Sequence, residues 1–289
     1  MSTEQNSEQF FLNQGLYVVA TPIGNFGDIT FRAEEILKQC DGIVCEDSRV
    51  TSKLLNKLQV KKPLIIYNDH SSEADRQKIL ELIKQGKALA LVSDAGTPLI
   101  SDPGYKLVNF LLKYEVKITA IPGPCSAIAA LSISGLPSDR FLFAGFIPTS
   151  AAARNTFFKE LIDINTTLIF FESAVRTVSS LKIMLELFGN KMAAIVREIT
   201  KIHEENRKDN LENLIEYYQK QGIKGEVVIL LSNVKNSDSD IDFAAIDSDI
   251  KVGLKKFKPK DLANLIADSY HVDKKQIYQR IINLKTNED

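Results

Sequence analysis

Short apolar runs alternate with helical stretches over residues 15–121, and this alternation restricts the fold more than any other feature of the chain. The first run, residues 15–20 (GLYVVA), is β-branched and stops at Thr21-Pro22, which is typical of a buried strand that enters a loop. Further strands are predicted at residues 42–45, 64–67, 88–92 and 117–121, and helices at residues 31–40, 51–58, 72–85, 104–114 and 126–134. Elements in this order favour a mostly parallel sheet that is covered on both faces.

A second block of strands and helices follows a connector rich in small and turn residues at 146–154. Its strands are predicted at residues 166–171, 193–197 and 226–231, and its helices at residues 175–188 and 210–221. We therefore expect a polar N-terminal tail (1–14), an N-terminal α/β domain (15–145), a C-terminal α/β domain (146–235), an acidic linker (236–250) and a basic helical module (251–289).

The C-terminal part changes sharply in charge. Residues 236–249 carry five Asp and no Lys or Arg, which indicates a solvated linker. Residues 251–285 carry nine Lys or Arg against three Asp, with amphipathic helices predicted at 259–270 and 274–284 around a turn at 271–273. The pattern fits a small helix-turn-helix module, and it fits equally a charged helical hairpin packed on the body.

Composition excludes several classes of protein. The net charge is −1, so any nucleic-acid partner must be met by a local basic patch rather than by the chain as a whole. The three Cys form no CxxC pair and the three His lie far apart, so we expect no disulfide framework, no metal site and a reducing, cytoplasmic setting. The polar N-terminus does not resemble a signal peptide, and no apolar run approaches the ~20 residues that span a bilayer, so we expect no membrane partner.

Three loops rich in Gly and Pro directly follow predicted strands: residues 20–25, 93–104 and 122–126. Gly lets a backbone approach a ligand closely and Pro fixes the loop, although each loop alone also fits a tight turn between strand and helix. No GxGxxG and no GxxxxGK[ST] is present, so dinucleotide and nucleoside-triphosphate sites are poorly supported. The carboxylates of Asp94 and Asp102 disfavour a polyphosphate and favour a cationic or zwitterionic ligand, such as a sulfonium amino acid.

The motifs ATPIGNFGDIT, CEDSR (45–49), VSDAGTPLISDPG (92–104), IPGPCSA and GLPSDRFLFAGF closely resemble those of the bacterial ribosomal RNA small-subunit methyltransferase I family, within the tetrapyrrole methylase superfamily. The resemblance runs over residues 15–231 and extends more weakly to the C-terminal helices. It implies an α/β fold of two tetrapyrrole-methylase-type domains with the cofactor in the interdomain cleft, plus a small helix-turn-helix-like C-terminal module. It also implies S-adenosyl-L-methionine as cofactor, a cytoplasmic homodimer, and methyl transfer to the 2′-hydroxyl of a cytidine in the decoding region of 16S rRNA, free or in the 30S particle.

The resemblance also assigns site residues. Those expected to bind the cofactor are Pro22, Asp94, Ala95, Gly96, Thr97, Pro98, Ile100, Ser101, Cys125, Ser126, Phe170 and Phe171. Two departures concern RNA contacts: most members read ESPHR where this chain has ESAVR at 172–176, and a basic Pro-Arg-Lys element is replaced by PTSA at 148–151. Arg154 is a nearby candidate to compensate.

A ribose hydroxyl is a weak nucleophile, so a general base or a cation beside the developing alkoxide should assist the transfer. The candidate bases are Asp94, Glu46, Asp47 and Glu172, and the candidate cations are Arg49, Arg197 and Lys201. We take Asp94, Arg49 and Glu172 as the catalytic set, without ranking the base beyond a preference for Asp94. The alternative for the Glu46–Arg49 and Arg197–Glu198 groups is an ion-pair cluster at a strand end.

Phosphate contacts require cations, and the candidates in the body of the chain are Arg49, Arg154, Arg176 and Lys201. Two other functions remain open from the sequence: methylation of a tetrapyrrole, and RNA binding without catalysis in ribosome assembly. The basic C-terminal module favours RNA over a tetrapyrrole, and three intact Gly/Pro loops favour catalysis over adhesion.

Overall fold

The computed structural model describes residues 12–234, 243–270 and 272–286. The chain divides into two compact units, one ending at Asn233 and the other beginning at Val234. Among the described residues, no helix combines the length and apolar character needed to cross a membrane.

The first sheet is parallel throughout and has the strand order β3-β2-β4-β1-β5. Its strands are β1 (Gly15–Val19), β2 (Gly42–Cys45), β3 (Leu64–Ile66), β4 (Ala88–Val92) and β5 (Ile118–Ile121). The helices of this part are α1 (Phe31–Gln39), α2 (Ser48–Lys57), α3 (Glu73–Lys84), α4 (Tyr105–Leu112) and α5 (Ser126–Ser134). The alternation of strands and helices in the sequence predicted this layout.

Both faces of the first sheet are covered, and β1 shows why its sequence is apolar throughout. Tyr17 and Val19 belong to one core cluster with Ile36 and Leu37 of α1. Leu16 belongs to a second cluster, which is formed with residues of α3 and α4. Because successive side chains of a strand point to opposite faces, a central parallel strand must be apolar at every position.

The second sheet has the order β6-β7-β10-β8-β9, with β6 parallel to β7 and all other pairs antiparallel. Its strands are β6 (Phe141–Phe146), β7 (Thr167–Ser173), β8 (Met192–Arg197), β9 (Glu205–Asn210) and β10 (Glu226–Ser232). The helices α6 (Ala151–Lys159), α7 (Ala174–Phe188) and α8 (Leu211–Gln221) supply one core cluster with this sheet. The small-residue helix α5 packs on the other face through Ala127, Ala130 and Leu131.

The structure differs from the expected division at residue 146, because the second sheet already begins with β6 at Phe141. Two further elements have no counterpart in the sequence prediction, the helix α6 and the polar edge strand β9 (ENRKDN). β9 pairs with β8 along its whole length, so backbone pairing at the sheet edge rather than an apolar pattern defines it.

The second unit contains α9 (Phe243–Gly253), α10 (Pro259–Tyr270) and α11 (Lys274–Thr286). The predicted helices at 259–270 and 274–284 are thus present. The acidic segment 236–250, interpreted as a solvated linker, is helical from Phe243, because Ile246 and Ile250 lie one turn apart and are fully buried against α10 and α11. Residues 1–11, 235–242, 271 and 287–289, which include most of the expected tail and part of the expected turn, lie outside the described residues.

Candidate active site

The three Gly/Pro loops meet at the carboxyl end of the first sheet. Thr21 and Gly96 form an isolated antiparallel bridge, with the two N···O distances at 2.9 and 3.1 Å. The hydroxyl of Thr97 donates to the carbonyl oxygen of Pro124 at 2.9 Å, which joins the second loop to the third. Gly96 has φ +79°, a conformation that favours glycine, so the bridge depends on the residue type at this position.

These loops form one side of a cavity of about 480 Å³, here called the main cavity. The first-sheet side comprises Ile23, Asp94, Ala95, Gly96, Thr97, Ile100, Ser101, Asp102, Cys125 and Ser126. The second-sheet side comprises Phe146, Phe171, Glu172, Ser173, Arg176, Val196, Ile199, Gly225, Glu226, Val227 and Val228. The cavity thus lies between the two sheets of the first unit and joins apolar walls to a few charged groups, as ligand sites usually do.

Nine of the twelve residues expected to bind the cofactor line the main cavity: Asp94, Ala95, Gly96, Thr97, Ile100, Ser101, Cys125, Ser126 and Phe171. Pro22 lines a neighbouring cavity instead, and Pro98 is absent from the linings of both. Phe170, expected at the cofactor site, does not line the main cavity. It is fully buried on the opposite face of β7, where its ring packs edge-on against Phe158, so it supports the core rather than the cavity wall.

The sequence prediction missed the wall that β10 supplies. In the antiparallel register of β7 and β10, Glu226 lies opposite Ser173 and Val227 lies opposite Glu172. The beginning of β10 is therefore brought beside the end of β7, which faces the Gly/Pro loops. No motif in the sequence signals this placement, because it follows from the pairing of strands far apart in the chain.

Three carboxyl groups near the loops have raised pKa values. Burial is the main cause at Asp94 and at Asp102, and the negative charge of a neighbouring carboxylate adds to it in both. Burial also raises the pKa of Glu46, with added repulsion from Asp94 and Asp102. The concentration of negative charge favours a ligand that carries a positive charge.

Glu172, expected as a catalytic base, is instead the centre of a buried network. Its side chain is fully enclosed, and one oxygen accepts hydrogen bonds from the backbone N–H of Ser173 (2.7 Å) and from Nε of Arg176 (2.9 Å). The other oxygen accepts from the Ser180 hydroxyl at 2.6 Å. A carboxylate whose two oxygens are both bonded within the protein is a structural anchor, and its lone pairs are already engaged.

Arg154, expected to contact RNA, belongs to the same network. It is 8% exposed, and one guanidinium nitrogen donates to the hydroxyls of Ser179 (2.6 Å) and Ser180 (3.2 Å). Ser180 in turn donates to Glu172, so Arg154 acts on that carboxylate through one hydroxyl. A side chain enclosed in this way cannot reach an external phosphate.

The remaining candidate cations are nearer to solvent. Arg49 is 87% exposed in its side chain and pairs with Asp47 at 2.5 Å, which holds the pKa of Asp47 at about 2. Arg176 lines the main cavity while it pairs with Glu172. Burial lowers the pKa of Lys201, but hydrogen bonds to Glu226 and Glu198 outweigh that effect and leave the pKa raised.

Metal binding would require a cluster of ligating side chains. Within the described ranges, no group of three or more His, Cys, Asp or Glu side chains has the arrangement of a metal site.

The fold is that of a known family of methyl-transferring enzymes. The family described as Tetrapyrrole (Corrin/Porphyrin) Methylases matches residues 15–215, and the chain belongs to this family. Its similar relatives include proteins named ribosomal RNA small subunit methyltransferase I. That of Rickettsia prowazekii is 45% identical over 271 residues, 92% of this chain and 96% of the relative. That of Thermotoga maritima is 41% identical over 217 residues, 75% of this chain and 97% of the relative.

Solved structures agree on the fold. A diphthine synthase aligns with a TM-score of 0.58 at 16% identity, covering 75% of this chain and 89% of its own. A uroporphyrin-III C-methyltransferase from Thermus thermophilus, complexed with S-adenosylhomocysteine, aligns with a TM-score of 0.53 at 20% identity, covering 75% of this chain and 96% of its own. Identities this low establish the shared architecture and nothing about the substrate.

Proposed function

We propose that this chain is an S-adenosylmethionine-dependent ribosomal RNA methyltransferase that modifies the 2′-hydroxyl of a cytidine in the decoding region of 16S rRNA. The observation that carries the proposal is the main cavity, whose first-sheet side includes seven residues of the VSDAGTPLISDPG segment. The relatives named ribosomal RNA small subunit methyltransferase I, which match over most of this chain, support RNA as the substrate.

The residues of the main cavity fit S-adenosylmethionine. Its volume of about 480 Å³ lies within the range of small-molecule sites. The Phe171 ring and the aliphatic side chains of Val196 and Val228 supply apolar wall, while Asp94 and Asp102 favour the positively charged sulfonium. When bound, S-adenosylmethionine supplies a methyl group whose bond to sulfur breaks as the bond to the ribose oxygen forms, leaving S-adenosylhomocysteine.

Asp94 is the residue we propose to accept the proton of the ribose hydroxyl. It opens the loop after β4 and lines the main cavity, and burial raises its pKa. A carboxyl group whose pKa is nearer to neutral is a stronger base once ionised. The charge of Arg49 acts on Asp94 and keeps the carboxylate available, although Arg49 lines neither cavity.

The test of Asp94 is the pH profile of Asp94→Asn. In the native protein the raised pKa moves the acidic limb of kcat/KM to higher pH than an ordinary Asp would give, because the protonated acid cannot accept a proton. Asp94→Asn should lower kcat by on the order of 10²–10⁴-fold and abolish that limb while S-adenosylmethionine still binds. Asp69→Asn, an exposed carboxylate outside the cavity linings, is the matched control. Turnover by Asp94→Asn at the native rate would exclude Asp94 as the base.

The substrate is tested with small ribosomal subunits, and with naked 16S rRNA, prepared from cells that lack this protein. A labelled methyl group should be transferred to one ribose of the RNA, and mapping of 2′-O-methyl marks identifies the nucleotide. We propose the assembled 30S particle as the substrate, a homodimer as the acting species and the cytoplasm as the location, on the support of the family resemblance. Light scattering of the purified protein checks the dimer.

Methylation of a tetrapyrrole is the second candidate, supported by the family description alone. Transfer of label to uroporphyrinogen III and not to ribosomal subunits would favour it.

Calorimetry with S-adenosylmethionine tests the remaining alternative, an RNA-binding assembly protein. Absence of binding at millimolar concentration would favour that role.

A further inference from the structure

A second cavity of about 300 Å³ adjoins the main cavity along the first Gly/Pro loop and the helix α2. This α2 cavity is lined by Thr21, Pro22, Ile23, Gly24, Phe26, Val50, Thr51, Lys53, Leu54, Lys57, Ser93, Asp94, Ala95, Lys201 and Glu226. It shares Ile23, Asp94, Ala95 and Glu226 with the main cavity. The shared residues, Asp94 among them, therefore form the boundary between the two cavities. Ligands bound in the two cavities would face each other across this boundary.

The walls of the α2 cavity combine apolar surface with one buried hydroxyl. The Phe26 ring, half-buried, lies with Val50 and Leu54 on the lining. Thr51 is 3% exposed, and its hydroxyl has no hydrogen bond of ordinary geometry within the described chain; the weakly bonding Cys45 thiol is a polar neighbour. The Thr51 hydroxyl is enclosed beside Cys45, so the wall offers a ligand mainly its apolar surface.

Two lysines of α2 complete this cavity. Lys53 and Lys57 are one helical turn apart, both exposed, and neither forms an ion pair with any residue that the structure describes. The Lys57 ammonium lies 5.3 Å from the centroid of the Phe26 ring, a cation–π contact that a nearby anion can replace. Lys201 differs, because Glu198 and Glu226 already pair with it.

We propose that the α2 cavity holds the methyl-accepting nucleotide, its base stacked on Phe26 and its flanking phosphates bound by Lys53 and Lys57. This inference rests on the proposed function, and it assigns the RNA side of the same site. The ribose then lies beside Asp94, at the wall shared with the main cavity. The volume suits one nucleoside, whereas a tetrapyrrole is much larger.

The chemistry favours a nucleotide taken out of its stack. An enzyme that acts on one nucleotide must bring the acceptor atom within bonding reach of the donor, and a concave site of this size admits a single extruded nucleotide. Bases stack on aromatic rings with little dependence on sequence, and lysines track phosphates. The α2 cavity offers both features next to the proposed base.

The experiment compares variants of the full chain with unmodified small ribosomal subunits as the probe. Phe26→Leu keeps an apolar side chain against the first-sheet core but cannot stack, so KM for subunits should rise by about tenfold. Phe26→Tyr, which retains a ring, should show a smaller rise. The double variant Lys53→Gln/Lys57→Gln should raise KM and lower the slope of log affinity against log salt by about two. In every variant the Kd for S-adenosylmethionine should stay at the native value.

The matched control is Lys159→Gln/Lys182→Gln, which removes two exposed lysines that line neither cavity. Its KM and salt slope should equal those of the native protein. If the native protein methylates subunits but the α2 variants match the control, the α2 cavity is not the nucleotide site. If the native protein methylates no ribosomal RNA at all, the proposed function fails, and the inference fails with it.

Discussion

The buried group around Glu172 shows how the surroundings of a residue decide its role. Glu172, Ser180 and Arg154 form a chain of hydrogen bonds in which one carboxylate is balanced by Arg154 at one end and by Arg176 at the other. From the sequence, Glu172 was expected to be a catalytic base, and Arg154 and Arg176 were expected to contact RNA. In the structure Glu172 and Arg154 are enclosed, and of the two arginines only Arg176 lines the main cavity.

Arg154→Met tests that assignment. The substitution keeps apolar bulk but removes the donors to Ser179 and Ser180, so the free energy of unfolding should fall by about 2 kcal/mol, as expected for lost hydrogen bonds from a buried charged group. Urea unfolding measures the loss. Arg140→Met, at an exposed arginine, should change the free energy of unfolding little. If Arg154→Met kept the native free energy of unfolding but bound RNA more weakly, the expectation that Arg154 contacts RNA would be correct.

Most of the Gly/Pro-loop residues named from the sequence motifs line the main cavity, because loops that follow strands at the carboxyl edge of a parallel sheet lie at the same edge; that they bind the cofactor stays a prediction. Phe170 and Phe171 mark the limit of that reasoning. Phe170 and Phe171 face opposite sides of β7, so Phe170 packs in the core while Phe171 lines the cavity. Burial of Arg154 could not be predicted, because it depends on the packing of α6 against α7.

The loop after β4 is the element that combines the most backbone strain with the most cavity surface. Besides Gly96 and Gly104, the non-glycine residues Leu99 and Ser101 have positive φ values of 74° and 62°. Residues in such conformations cost free energy and concentrate at functional sites. The bridge to Thr21 and the bond to Pro124 keep the loop in this form.

Gly96→Ala should disturb both folding and binding. A Cβ there would lie 3.2 Å from Cγ2 of Ile23, and φ would remain at +79°, so stability should fall by about 1–2 kcal/mol and the affinity for S-adenosylmethionine should fall as well. Gly86→Ala is the control, since Gly86 has φ +90° with open space around it. It should show the backbone penalty with native cofactor affinity. Equal losses of affinity in both variants would contradict a local role for Gly96.

Helices and strands whose apolar residues recur at a regular spacing were predictable from the sequence. The strand β9, which is defined by backbone pairing, and the helix α9, which has a short apolar repeat, were not. Glu205 and Arg207 leave β9 without an apolar face, and backbone pairing with β8 alone makes it a strand. In α9, the two buried isoleucines are surrounded by acidic residues that gave the segment the composition of a linker. Tertiary partners decide both cases, and a local pattern cannot reveal them.

At the scale of the whole molecule, the chain consists of two units with separate cores. The cavities described above lie entirely in the first unit, while α9, α10 and α11 form the core of the second. The Thermotoga maritima relative aligns over 75% of this chain and 97% of itself, so proteins of that name exist with little room for a second unit. All residues that line the two cavities belong to the first unit.

A chain that ends at Asn233 should fold cooperatively and bind S-adenosylmethionine with native affinity, because every residue lining the two cavities is retained. Its affinity for ribosomal RNA, and the salt dependence of that affinity, should both decrease if the basic helices contact phosphates. Removal at residue 251 instead would cut through α9 and leave Ile246 and Ile250 without their partners. Native RNA affinity in the shorter chain would make the second unit purely structural.

The position of β10 has a consequence for the order in which the protein is made. The first sheet is complete once residue 121 has been synthesised, but the central strand of the second sheet is the last to emerge. Until then β7 and β8 have no common neighbour, and the main cavity lacks the wall from Gly225 to Val228. The complete lining of the main cavity is therefore present in a nascent chain only after residue 228 has been synthesised, close to the end of the first unit.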